Sequence, residues 1–278
     1  MFNRKFASVL GGLLAVAPAF AYESSYNLPV GVTPVSRDVF HLHMTVFWVC
    51  VAIAVVVFGV MIYSIIKFRK STGAVADKTL LHSTKVEIIW TTIPVLILIG
   101  LAIPAARTLV TIEDTRNAEL TVKVTGYQWK WQYEYLGKDV SFYSTLAADS
   151  NEARQLHSGI DVKGVKDYLL NVDHPLVVPV DTKVRVLLTG NDVIHSWWMP
   201  DFGVKKDAIP GFINEAWFKV EKTGHYTGQC TELCGRDHGF MPIVVDVLSK
   251  EDFAKWLADQ QAAHKAAAMA MNTAAQAN

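Results

Sequence analysis

Two long runs without a charged residue constrain this 278-residue chain more than any other feature. Val46 to Ile66 has 21 residues and Ile88 to Ala106 has 19. At 1.5 Å of rise per residue, each can cross a hydrocarbon core about 30 Å thick. Pro94 and Pro104 are expected to kink the second span, which a neighbouring helix can tolerate. The loop between the spans holds Lys67, Arg69, Lys70, Lys78 and Lys85 against Asp77 and Glu87. That excess of cations predicts a cytoplasmic loop. Met1 to Ala21 reads as a secretory signal, with Arg4 and Lys5, an apolar run from Phe6 to Pro18, and "AFA" as a cleavage site. Both signals predict a hairpin with its two ends outside the cytoplasm. The expected organisation is a signal peptide over 1–21, an N-terminal segment and transmembrane hairpin over 22–109, an exported domain over 110–260 and a low-complexity tail over 261–278.

The exported part is strand-like. Glu119 to Tyr135, "ELTVKVTGYQWKWQYEY", alternates and is rich in Val, Thr, Tyr and Trp. Read as one strand, it puts Trp129 and Trp131 on one face and Gln128 and Lys130 on the other. "HPLVVPVDTKVRVLLTG", "NEAWFKV", "GHYTGQC" and "MPIVVDVL" follow, separated by Gly, Pro, Asn and Asp. Short strands at this spacing predict a sandwich or Greek-key barrel. Residues 144–166 read as a loop or short helix, and 251–260 as a short amphipathic helix. The tail reads as disordered or weakly helical. From Thr111 to Gln260 there are 22 acidic and 16 basic residues. This excess favours a cationic partner and argues against nucleic acid.

The chemistry concentrates in "GQCTELCGRDHGFMP", Gly228 to Pro242. It holds Cys230, Cys234, His238 and Met241 between two predicted strands. A further histidine, His195, lies in "NDVIHSWWMP" at the end of another predicted strand. A disulfide suits an oxidising compartment but does not call for His238 and Met241. A Cys2His2 zinc site uses sulfur and nitrogen but has little use for a thioether. Cysteine, histidine and methionine together are the ligands copper prefers, and two thiolates could bridge two copper ions.

The order C-x-E-x-C-x3-H-x2-M with an upstream histidine resembles the dicopper (CuA) loop of cytochrome c oxidase subunit II. Cys230, Glu232, Cys234, His238, Met241 and His195 match every position. The two-span hairpin, "YQWKW", "DVIHSW" and "VKKDAIPG" extend the resemblance over nearly the whole mature chain. It implies a two-helix transmembrane hairpin followed by an all-β cupredoxin-like Greek-key barrel. It also implies bridging thiolates at Cys230 and Cys234. His195 and Met241 complete one copper; His238 and the Glu232 carbonyl complete the other. The Glu232 carboxylate is implied to bind Mg or Mn shared with the catalytic haem–copper subunit I.

The resemblance further implies that Trp129 accepts electrons from cytochrome c, with Gln128, Glu134 and Asp192 on the docking face. Glu87, in "VEIIWT", matches the mouth of a proton path; as an acid in a first helical turn it also suits the helix dipole. Asp207 matches a segment at the subunit boundary. The pattern is departed from at Phe212, where the family carries arginine, and at Tyr143, where it carries an acid. No C-x-x-C-H occurs, so the donor is expected to be a separate protein. The implied setting is a bacterial inner membrane, with the large domain periplasmic, further oxidase subunits alongside and lipid around the spans. Two alternatives are a copper-free quinol-oxidase-type structural subunit, opposed by the intact ligand set, and an exported copper-binding chaperone, opposed by the strands that flank the loop.

Overall fold

The computed structural model describes residues 27–75, 79 and 82–276. The expected signal peptide over 1–21, and Asp77 and Lys78 of the inter-span loop, lie outside these residues. Two helices come first: α1 (Pro34–Lys67) and α2 (Thr84–Ile112). Both are long and apolar enough to cross a membrane. Each outruns its uncharged core. α2 continues through Pro94 and Pro104 and ends three residues beyond the expected 109 boundary.

The start of α1 is set by local chemistry. Thr33 is the N-cap and accepts from the Ser36 N–H at 3.0 Å, while Pro34 supplies the first-turn φ. The Thr33 hydroxyl donates to the Phe202 carbonyl at 2.8 Å, so this cap is also a tertiary contact. Arg37 pairs with Glu221 at 2.9 Å. At the end of α2, the Trp217 indole donates to the Thr111 carbonyl at 3.0 Å and Lys206 pairs with Glu113 at 3.1 Å. Both outer ends of the hairpin are thus fastened to the β-domain.

That domain has two five-stranded sheets. The first runs β3 (Val140–Ser144), β2 (Lys130–Tyr135), β1 (Leu120–Tyr127), β5 (Val184–Gly190), β8 (Asn214–Phe218). The second runs β4 (Leu176–Pro179), β10 (Pro242–Leu248), β9 (Gly224–Cys230), β6 (His195–Met199), β7 (Val204–Ala208). Alternation selects the buried face: Val122 and Val124 on β1, Trp131, Tyr133 and Tyr135 on β2, and Val184, Val186 and Leu188 on β5 are all buried. With Phe218 on β8 of the same sheet, Trp197 on β6 of the other and Phe202 from the turn after β6, they form one core. Each such side chain contributes about 1.5–3 kcal/mol of burial. The architecture is the expected cupredoxin-like β-sandwich.

Three expectations are corrected. Glu119 to Tyr135 is two antiparallel strands, not one. Tyr127 pairs with Lys130, leaving Gln128 and Trp129 as a two-residue turn. Trp131 is buried in the core, whereas Trp129 is only partly buried at the sheet end. Alternation alone cannot reveal such a turn when its residues keep the alternating pattern. Second, His195 opens β6 and does not end a strand. Third, the helix expected over 251–260 is not short: α4 (Lys250–Gln276) continues through the alanine-rich tail, which takes the helical of its two expected states, as alanine is the strongest helix former. Trp256 of α4 packs on Tyr135, with centroids 5.3 Å apart. Residues 144–166 contain the short helix α3 (Ala148–Ala153), as expected.

Candidate metal centre

Cys230 ends β9 and Met241 directly precedes β10, so residues 231–240 form a loop closed at its base. The Cys230 N–H donates to the Met241 carbonyl at 3.1 Å, and the Thr231 N–H to Ser196 of β6 at 3.1 Å. β6 pairs with β9 through Trp197 and Cys230, which brings the adjacent His195 to the loop. His195, Cys230, Cys234 and Met241 are all buried.

The donor atoms converge. Cys230 Sγ and Cys234 Sγ are 3.8 Å apart and are free thiols. His195 Nδ1 is 4.0 Å from Cys230 Sγ, and His238 Nδ1 is 3.5 Å from Cys234 Sγ. The Cys230 thiol donates to the Glu232 carbonyl at 3.4 Å. Around a tetrahedral first-row ion such as zinc, two sulfurs stand about 3.8 Å apart, and a sulfur and an imidazole nitrogen about 3.5 Å. The sulfur pair and the Cys234–His238 pair match those edges without rearrangement; the His195 contact is half an ångström wider. The cluster fits a soft or borderline metal, since its donors are thiols and imidazoles beside a buried thioether.

His195 is oriented from behind. Its Nε2 lies 2.9 Å from Asp192 Oδ1, which leaves Nδ1 to face the sulfurs. A carboxylate behind an imidazole is the usual way a metal-binding histidine is held in one tautomer. Trp131 meets the ring edge-on at 5.9 Å. Gly126, the cross-strand partner of Trp131, also faces the ring: a Cβ there would stand 2.6 Å from His195 Cδ2, so only glycine leaves room.

The electrostatics follow from these contacts. Burial raises the Cys230 thiol, but His195 and the neighbouring backbone hydrogen bonds outweigh it and bring the group down to about 7. Burial, with the adjacent Cys230 charge, pushes Cys234 up to about 12. Burial opposes the Asp192 carboxylate, yet hydrogen bonds from His195, Gln128 and Val193 hold it below its ordinary value.

The β1–β2 turn reaches the same loop. Gln128 Nε2 donates to the Cys234 carbonyl at 2.8 Å and Trp129 Nε1 to the same oxygen at 3.1 Å. Arg236 lies over the Trp129 ring at 5.7 Å. Gly235 takes a φ of +117°, and a Cβ there would press on Gln128 and Trp129.

The remaining side chains lie outside this cluster. Glu134 is on β2 and pairs with Lys123 at 3.0 Å. Glu232 is exposed, as is Asp207. Glu87 is in the first turn of α2, roughly 40 Å along the helix from its far end. Tyr143 is exposed and carries Lys130 over its ring at 4.1 Å. Phe212 is exposed beside Ile213. Sequence reasoning missed Gly126, whose only trace is a glycine inside an alternating strand. It also missed Thr33, although "TPVS" carries a cap signal.

Sequence comparison adds the family. Residues 120–248 match the profile of the cytochrome c oxidase subunit II periplasmic domain, and residues 21–107 that of its transmembrane domain. The chain is 40% identical over 247 residues to a probable cytochrome c oxidase subunit 2 of Rickettsia bellii, covering 88% of this chain and 87% of that one. It is 35% identical over 270 residues to cytochrome c oxidase subunit 2 of Cereibacter sphaeroides, covering 90% and 89%. Among solved structures, it is 44% identical to the periplasmic domain of subunit II of cytochrome oxidase of Bradyrhizobium japonicum, covering 54% of this chain and 99% of that one, with a TM-score of 0.47.

Proposed function

The chain belongs to the cytochrome c oxidase subunit II family, and on that premise we propose that it accepts electrons from cytochrome c and passes them through a dicopper centre to haem in subunit I. The observation that carries this reading is the buried convergence of two free thiols with His195 and His238. When bound, two copper ions would supply a one-electron carrier. Cys230 and Cys234 would hold both ions. His195 and Met241 would serve one ion, and His238 with the Glu232 carbonyl the other. Burial keeps water from the thiols, while Asp192 and the Gly126 backbone restrain the His195 ring.

Trp129 is the residue proposed to meet the donor. It is partly exposed, and its indole touches the backbone of Cys234. Gln128, Glu134 and Asp192 would lie on the docking face. Glu134 and Asp192 already have partners within the chain, so steering of a cationic donor rests on the acidic excess of the whole domain. The exposed Glu232 carboxylate would hold Mg or Mn with subunit I. Glu87 would stand at the entrance of a proton path in that subunit. The two spans would sit in a bacterial inner membrane among lipid and further oxidase subunits, with the β-domain periplasmic.

The test uses the full chain in detergent, loaded with copper. Metal analysis should give two coppers per chain, and electron spin resonance one unpaired electron shared by both. A single copper with a localised signal, or tightly held zinc, overturns the reading.

A further inference from the structure

We propose that Arg154 is a positioning residue for the metal loop, acting on the backbone of His238 from a segment distant in sequence. Arg154 caps the C-terminus of α3, in the excursion between β3 and β4. It lies 83 positions before Asp237, yet its Nη2 is 3.5 Å from Asp237 Oδ2. Its guanidinium carbon stands 4.2 Å from the Phe240 ring centroid. Nε donates to Asn151 Oδ1 at 2.8 Å, which fixes the plane of the fork. The Arg154 and Asp237 side chains are only 20% and 15% exposed.

These contacts bracket His238. Asp237 precedes it, and Phe240 closes the short turn that contains it, with the Phe240 N–H on the Asp237 carbonyl at 2.9 Å. The loop has two other fastenings. Its base is closed by Cys230 and Met241, and its Cys234 corner is held by Gln128 and Trp129. Neither touches residues 237–240 directly; within the loop the His238 N–H donates to the Gly235 carbonyl at 3.2 Å, which links the turn to the Cys234 corner but not to the wall on which Arg154 stands. Among the described residues, the Asp237 carboxylate meets, apart from Arg154, only Arg236, whose side chain is 82% exposed. A cavity of about 190 Å³ lies beside the latch, bounded by Trp129, Leu146, Arg154 and Phe240. Removing the guanidinium enlarges that space and leaves the turn room to move. Arg154 thus holds His238 Nδ1 against Cys234, and ties the ligand to the wall beside Trp129.

The importance of His238 as a ligand rests on the copper reading above; the restraint on its backbone does not. The experiment therefore begins without metal. Amide hydrogen exchange is followed on the full chain in detergent for wild type, Arg154→Ala, Arg154→Lys, Asp237→Ala and the Arg154→Ala/Asp237→Ala pair. Losing a half-buried ion pair and a cation–π contact should speed exchange across 236–241 about fivefold to tenfold. Exchange in β9 and β10 should stay at the wild-type rate, which also reports that the variants are folded. The double variant should be no faster than Arg154→Ala, and Arg154→Lys should recover part of the protection. In copper-loaded chains, Arg154→Ala should lose metal to a chelator faster by a similar factor. Loop exchange within twofold of wild type in Arg154→Ala, or effects that multiply in the double variant, overturns the proposal. A wild-type chain that holds no copper pair overturns the copper reading and leaves the exchange result standing.

Discussion

Trp129 Nε1 donates to the carbonyl oxygen of Cys234 at 3.1 Å, so a side chain at the rim and a buried thiol-bearing residue share one hydrogen bond. The contact follows from the two-residue turn at the end of the β1–β2 hairpin, which lays the indole on the metal loop. Trp129→Phe removes that bond and costs about 1 kcal/mol of stability. Electron uptake from cytochrome c should fall by more than the roughly fivefold that such a displacement could explain, with copper content unchanged. Rapid-mixing kinetics on the copper-loaded chain make the check, and wild-type rates would remove Trp129 from its assigned role.

Asp192 supplies the second prediction. It accepts from the His195 ring at 2.9 Å and from the Gln128 N–H at 2.7 Å. Asp192→Ala frees the imidazole to rotate and should weaken metal binding about 10–100-fold. A competitive chelator titration reads this directly. Unchanged affinity would mean that Trp131 and Gly126 alone orient the ring.

The third concerns pH. Burial raises the Asp201 carboxyl above its ordinary value. The folded chain therefore binds this proton more tightly than the unfolded chain. The resulting stability is full below the ordinary carboxylate range and is lost as pH rises through the raised value. Asp201→Asn should accordingly melt above wild type at about pH 7 and level with it at about pH 3. Equal melting temperatures at neutral pH would show that the charged carboxylate carries no burial cost.

A fourth prediction ranks two contacts between α1 and the β-domain. Arg37 and Glu221 form an ion pair with both side chains over a third exposed, so Arg37→Ala should cost no more than about 1 kcal/mol. Thr33 is fully buried, caps α1 and donates to Phe202, so Thr33→Ala should cost about 1–2 kcal/mol. Denaturant titration in detergent compares them, and the reverse order would place the charge pair above the cap.

Much of this arrangement is legible before folding. The membrane hairpin follows from two uncharged runs, because bilayer thickness converts directly into residue count. The strands follow from alternation where one face is buried, as in Trp131, Tyr133 and Tyr135. Alternation fails at Gln128 and Trp129, where the turn keeps the pattern of the strands it joins. It misses β7, where Lys206 falls between the buried Val204 and Ala208 on one face and breaks the apolar period. The alanine-rich tail reads as low complexity, yet its intrinsic propensity is helical, and packing of Trp256 on Tyr135 anchors the helix that continues into it.

By itself the sequence determined which ligands are available: Cys230, Cys234, His238 and Met241 occupy one short loop, and their identity and spacing limit the metal chemistry. Tertiary structure alone decided how they are held. The β6–β9 pairing brings His195 to Cys230 across 35 positions, the β1–β2 turn sets Trp129 on Cys234, and Arg154 reaches Asp237 across 83. Spacing reveals ligands that are neighbours along the chain. Contacts between distant segments depend on strand order and register, which arise only when the two sheets bury their common core.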